Sequence, residues 1–96
     1  MKLGFIGCSN ITKAMMRCII DSKFIDVKDI YATNKDKYEL FKVKESLGVN
    51  TVDLRRDIVK NCDIVILAER AEYYTEVAYE IKDYLTEQYN NFGGTN

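Results

Sequence analysis

Short apolar runs alternate with helical periodicities along this 96-residue chain, and that alternation leaves few folds open. "KLGFIG" (2–7) reads as a buried strand. After it Ile11, Ala14, Met15, Cys18, Ile19 and Ser22 recur at helical spacing, which predicts a helix with those residues on one face. "DIYATN" (29–34) reads as a second strand. A second helix is predicted over 36–47, with Leu40, Phe41, Val43 and Leu47 turned inward, an Asp36-x-x-Glu39 capping start and Gly48 just past its end. "VNTV" (49–52) is a weak third strand, and Asp53 is expected to cap a short helix running to Lys60. "DIVILA" (63–68) is apolar on both faces. A long amphipathic helix over about 71–88 follows, with Tyr74, Val77, Ala78, Ile81, Tyr84 and Leu85 on one side.

The order βαβαβαβα requires a parallel sheet covered by helices on both faces. Right-handed crossovers give it the strand order 3-2-1-4, a Rossmann-like arrangement. The chain forms one domain over 1–90 with a polar tail over 91–96. Such a size buries roughly 65% of the unfolded surface, enough for one modest core.

The turn after the first strand carries the chemistry. In a dinucleotide-binding turn one glycine makes the bend, a second lets the backbone approach pyrophosphate, and a third allows helix–strand packing. Gly7 supplies the first, Ser9 replaces the second, and Thr12 takes the place of the third. The N–H groups of residues 9–11 at a helix N-terminus favour an anion. If Ser9 had to adopt a glycine-like backbone, strain of about 1–3 kcal/mol would weaken binding roughly tenfold to a hundredfold. An ordinary strand–turn–helix that binds nothing is the competing reading. Folds that select NAD carry an acid at the end of the second strand for the ribose 2′-hydroxyl. Here Thr33-Asn34-Lys35 stands instead, and amide and ammonium groups suit a 2′-phosphate. NADP, bound weakly, is the cofactor these residues favour, although a turn-forming Asn34 and a solvated Lys35 account for the same letters.

A net charge of −1 supplies no basic field for nucleic acid or an anionic membrane surface. No apolar stretch is long enough for a signal segment or a membrane span. Cys8, Cys18 and Cys62 are odd in number and read as reduced thiols in a cytoplasmic protein. Cys8 lies where a helix N-terminus could lower its pKa, though a small turn-filling residue explains it as well. The sequence has no histidine, no metal-ligand cluster and no nucleophile beside an obvious base.

Taken together, "KLGFIGCSNITKAM", "IYATNK", "LGV" and "CDIVILAERAEYYTEVAYEIKDYL" resemble the N-terminal domain of pyrroline-5-carboxylate reductase over about residues 1–88. NADP oxidoreductases of the coenzyme F420-dependent type share that domain. The resemblance implies a pyrophosphate turn over Ile6, Gly7, Cys8, Ser9, Asn10 and Ile11, and a 2′-phosphate site at Asn34 and Lys35. It implies a nicotinamide-side segment at Ala68, Glu69, Arg70 and Ala71, and places Arg55 where an asparagine near the adenine is frequent. Glu69 and Ala71 depart from the family's apolar residue and proline, and Arg70 keeps its positive charge. Glu69 would either repel phosphate or pair with Arg70, while Arg55 would stack on adenine or reach the 2′-phosphate. The complete family enzyme reduces 1-pyrroline-5-carboxylate to proline. Its helical dimerisation and substrate domain is not found in these residues, so this chain alone is expected to lack activity. A second reading, a nucleotide-binding or interaction module without catalysis, is supported by Ser9, Glu69 and Ala71, and a purely structural domain is a third. A weak homodimer is expected through the edge strand 63–68, which has neither proline nor an inward lysine to block pairing.

Overall fold

The computed structural model describes residues 1–93, with side chains described as far as Tyr84. Four strands form one parallel sheet: β1 (Leu3–Ile6), β2 (Ile30–Thr33), β3 (Asn50–Thr51) and β4 (Ile64–Leu67). Their order is β3-β2-β1-β4, as the alternation requires. Helices α1 (Asn10–Asp21), α2 (Lys37–Leu47), α3 (Arg55–Asn61) and α4 (Tyr74–Gly93) cover it. Among the described residues, no helix is long and apolar enough to cross a membrane.

The sheet divides the core in two. On one side Phe5, Met16, Ile30, Leu40 and Val43 bring α1 and α2 against β1 and β2. On the other, Ile6, Ile58, Val59, Val77 and Ile81 bring α3 and α4 down. Phe5, Met16 and Ile58 are fully buried, and each such side chain contributes about 1.5–3 kcal/mol.

The inward faces of the helices differ from the predicted ones. In α1 the buried residues are Thr12 and Met16, with Ile19 and Ile20 partly covered. Ile11, Met15, Cys18 and Ser22 face solvent instead. Both stripes have helical spacing, so periodicity cannot choose between them. The Thr12 hydroxyl chooses: its Oγ1 lies 3.2 Å from the Gly7 carbonyl oxygen and 3.0 Å from that of Ser9, which fixes the rotation of the helix. Phe41 of α2 is likewise exposed, as are Tyr74 and Ala78 of α4, while Val77 and Ile81 carry the contact. The side chain of Leu85 lies outside the described residues. The helix continues to Gly93, beyond the predicted end near 88 and into the expected tail, of which 94–96 lie outside the described residues.

The caps of α2 are as predicted. Asp36 accepts from the Tyr38 and Glu39 N–H groups, and Gly48 closes the helix in the left-handed region at φ 77°. Asp53 does not cap α3. Leu54 stands at that position with no side-chain cap, and the first N–H of α3, from Arg55, donates to Glu80 of α4 at 3.0 Å.

Gly4 lets α3 approach β1. A Cβ there would lie 2.6 Å from Ile58 Cγ2 and 2.8 Å from Cys62 Sγ. Gly4→Ala should therefore destabilise the domain by about 1–3 kcal/mol through overpacking. Urea denaturation measures this, and a change below about 0.5 kcal/mol would mean that α3 moves aside at no cost.

Candidate functional site

Register places the site. Ile6 pairs with Thr33 on one side and with Leu67 on the other, so β1, β2 and β4 end level and their loops emerge side by side. This edge is the carboxyl end of a parallel sheet, where crevices form in such folds. Gly7 turns the chain away from β1 at φ 106°, a conformation that suits glycine. A Cβ there would also lie 2.6 Å from the Ala68 carbonyl oxygen. No other residue fits both constraints.

The three loops line an open crevice of about 480 Å³. Gly7, Cys8 and Ser9 line it from the first loop, Asn34, Lys35 and Asp36 from the second, and Ala68, Glu69, Arg70 and Tyr73 from the fourth-strand side. A second cavity of about 290 Å³ adjoins it across Asn34 and Lys35 and reaches Lys37, Arg55, Glu76 and Glu80. Of the other predicted site residues, Ile6 is buried in β1, while Asn10 and Ile11 are exposed in the first turn of α1. Ala71 opens a 3-10 turn (Ala71–Tyr73) and lines neither cavity.

Ser9 is unstrained. It sits at φ −76°, ψ 170° as the N-cap of α1, and its hydroxyl accepts from the Thr12 N–H at 3.2 Å. The strain expected from replacing a glycine is absent, and returning glycine to this position would relieve nothing. Cys8 is buried in the turn, where burial pushes its thiol up to about 11 despite the neighbouring Lys13. It is a turn-filling residue with a poorly ionised thiol. Asn34 braces the crevice: its Oδ1 accepts from the Cys8 N–H at 2.9 Å and its Nδ2 donates to the Asp36 carbonyl at 3.0 Å. The Cys8 N–H is thereby occupied within the protein. Asp36 reaches the cavity, but its carboxylate is turned to the α2 cap.

Arg55 carries the largest departure from expectation. Its guanidinium is almost buried and surrounded by carboxylates. Nε lies 2.6 Å from Glu69 Oε2, Nη2 donates to Glu69 Oε1 at 3.0 Å, and Nη1 meets Glu76 at 2.9 Å and Glu80 at 3.0 Å. Burial alone would weaken its charge, and the hydrogen bonds to the three glutamates more than offset this, holding it protonated. Arg55 is therefore engaged inside the protein and not free to stack on adenine. Glu69 pairs with Arg55, not with Arg70, which is highly exposed and bonds Glu72 at 3.3 Å. Lys35 bridges the two cavities, reaching Glu76 at 3.1 Å and lying 4.8 Å from the centroid of the Tyr73 ring. Glu76 is held below the ordinary carboxylate range, first by the hydrogen bond from Lys35 and then by that from Arg55. Its contribution to stability is intact above that range and is lost as pH falls through the lowered value.

Sequence reasoning missed Tyr73, Glu76 and Glu80. The spacing of the two glutamates was the available signal. Glu76 and Glu80 stand four apart, each just before a buried residue of α4, Val77 and Ile81, so one edge of the buried face is acidic.

The family model for NADP oxidoreductases of the coenzyme F420-dependent type matches residues 2–89. The chain belongs to this family. Its curated relatives include the pyrroline-5-carboxylate reductase of Staphylococcus aureus, 36% identical over 87 residues that make up 90% of this chain and 32% of the relative. Among solved structures it is similar to a pyrroline-5-carboxylate reductase from Coxiella burnetii, with TM-score 0.81 and 31% identity over 90% of this chain and 32% of that one. A Plasmodium falciparum pyrroline carboxylate reductase solved with NADP bound shares the fold at TM-score 0.73 and 22% identity, over 88% of this chain and 30% of that one. The chain thus spans about a third of the length of the relatives it matches.

The donor set suits a dinucleotide of this NADP oxidoreductase family. The first N–H groups of α1 have no partner within the helix, Ala68 lines the larger cavity, and Lys35 lines both. The Arg55 cluster ties α3, the segment after β4 and α4 together. Arg55→Met should destabilise the domain by about 3–5 kcal/mol, because it leaves a buried glutamate uncompensated. Arg55→Met combined with Glu69→Leu should recover part of that loss in thermal melts. Equal stability of the single variant and wild type would show that the cluster holds nothing.

Proposed function

We propose that this domain binds NADP in the crevice at the ends of β1, β2 and β4 and serves as the cofactor half of a pyrroline-5-carboxylate reductase-like oxidoreductase. One observation carries the reading: the level strand ends bring the α1 N-terminus, Asn34-Lys35 and Ala68–Arg70 around a single cavity of about 480 Å³. When bound, the cofactor supplies the hydride. The chain supplies position. The N–H groups of residues 9–11 would hold the pyrophosphate. Lys35 would meet the 2′-phosphate, with Asn34 fixing the loop that presents it. Ala68 and Arg70 would flank the nicotinamide end, Ala68 by leaving room and Arg70 by its exposed charge. In a whole reductase of this kind the imino acid would be the hydride acceptor, and its site would draw on parts of the relatives beyond the third that this chain matches. The cytoplasm is the compartment consistent with three thiols and no disulfide among the described residues.

A second reading, a nucleotide-binding module without catalysis, is favoured by one feature, the burial of Glu69 and Arg55 in each other's charge beside the cofactor crevice. Both readings require the dinucleotide. NADPH should bind more tightly than NADH by about 1 kcal/mol, roughly fivefold. Lys35→Met should erase that preference while leaving NADH affinity unchanged. Fluorescence titration checks both, and equal or reversed affinities in wild type would remove the NADP assignment.

We also propose a weak homodimer through β4. The strand lies at the sheet edge, and Ile64 and Leu67 are each nearly half exposed on opposite faces. Among the described residues no strand lies beside its outer backbone groups, so a second copy would gain hydrogen bonds and cover apolar surface. Val65 and Ile66 pack into the two cores, so a charge at Val65 would damage the fold itself. Ile64→Lys reaches only the exposed edge. Sedimentation should find weak, concentration-dependent dimers in wild type and monomers in Ile64→Lys, and a monomeric wild type at high concentration would refute the pairing.

A further inference from the structure

We propose that Glu76 is a resident anion that occupies the phosphate-facing cations of the crevice and sets how strongly it prefers a 2′-phosphorylated dinucleotide. The inference rests on the NADP reading above and adds to it a specificity-determining residue. Glu76 Oε2 lies 3.1 Å from Lys35 Nζ and 2.9 Å from Arg55 Nη1. One carboxylate oxygen thus spans two cations, which is the arrangement a phosphate oxygen would seek.

The three glutamates of the cluster are not equivalent. Glu69 is nearly sealed, with its side chain 5% exposed, and it meets two nitrogens of Arg55. Glu80 binds both the guanidinium and the backbone N–H of Arg55, so it also caps α3. Glu76 is 49% exposed and, among the described residues, is the carboxylate bonded to Lys35. It stands in the first turn of α4 with room to swing into solvent. If it leaves, Arg55 keeps two carboxylates and Lys35 becomes available, with Lys37 on the rim of the same cavity. While it stays, two cations face three carboxylates and an incoming dianion meets excess negative charge.

The exchange is therefore a swap of one anion for another at Lys35, and it is reversible because a half-exposed pair is weak. A dinucleotide without a 2′-phosphate has nothing to place there and leaves Glu76 where it is. Removing the Glu76 charge should favour the phosphorylated cofactor selectively.

Titrations of NADPH, NADH and adenosine 2′,5′-bisphosphate against wild type and Glu76→Gln test this. Glu76→Gln should tighten NADPH and the bisphosphate roughly fivefold to tenfold while NADH stays within about twofold. Thermal melts establish folding. If Glu76→Gln does not fold, Glu76→Asp keeps the charge on a stem too short to span both cations and should raise the NADPH to NADH ratio by a smaller factor. A ratio unchanged or lowered in a folded variant, with wild type still preferring NADPH, overturns the role of Glu76 and leaves the NADP reading standing. Binding of neither dinucleotide by wild type and variants overturns the NADP reading, and the role of Glu76 with it.

Discussion

The crevice exists because β1, the inner strand shared by β2 and β4, must end in a residue with no side chain. Gly7 combines a positive φ with an approach to the Ala68 carbonyl that a Cβ would block. Once the chain turns there, Ser9 can cap α1 without strain and Thr12 can reach back to the Gly7 carbonyl. That contact sets the rotation of α1, and the rotation decides which residues fill the core. A backbone requirement at one position thus propagates through a turn to the packing of a layer. Asn34 extends the chain of consequences to the second loop by taking the Cys8 N–H.

The opposite layer rests on charge as well as apolar contact. α3 is short and begins without a side-chain cap of its own. Its first N–H and its Arg55 side chain are both met by Glu80 from α4, while Glu69 secures the same guanidinium from the segment after β4. A guanidinium this buried requires several partners at once, since burying it with fewer would leave desolvation unmatched. The arrangement explains how a substitution pair that looks hostile to a cofactor, Arg55 with Glu69, is compatible with a well-packed domain.

Sheet order, strand identity and most element types were legible because alternation and crossover handedness restrict topology to very few choices. The α2 caps were legible because Asp36 and Gly48 act on their own neighbours. The α1 face was not, since Ile11–Met15–Cys18 and Thr12–Met16–Ile19 are equally periodic and a hydroxyl contact with the preceding turn separates them. The fate of Arg55 was not legible either. Its partners come from residues 14, 21 and 25 positions away, which is tertiary information carried by no local pattern. The crevice-lining loops were found, while Tyr73 and the α4 glutamates, which shape the cation environment, were not.

Those glutamates place stability and ligand affinity in opposition at one site. Cations gathered at the mouth of an α/β crevice attract phosphate, but without a ligand they need counter-charge from the protein. Deeply placed partners such as Glu69 hold the fold and are too costly to displace. An exposed partner such as Glu76 contributes little to the fold, and in the exchange proposed for this crevice it is the one a ligand would displace. Burial therefore assigns the roles: the sealed carboxylate is structural and the solvated one is exchangeable. The same division explains why charge composition alone is silent about this crevice. Five charged groups, Lys35, Arg55, Glu69, Glu76 and Glu80, nearly cancel in the sum, and only their different depths decide which of them an incoming anion can replace.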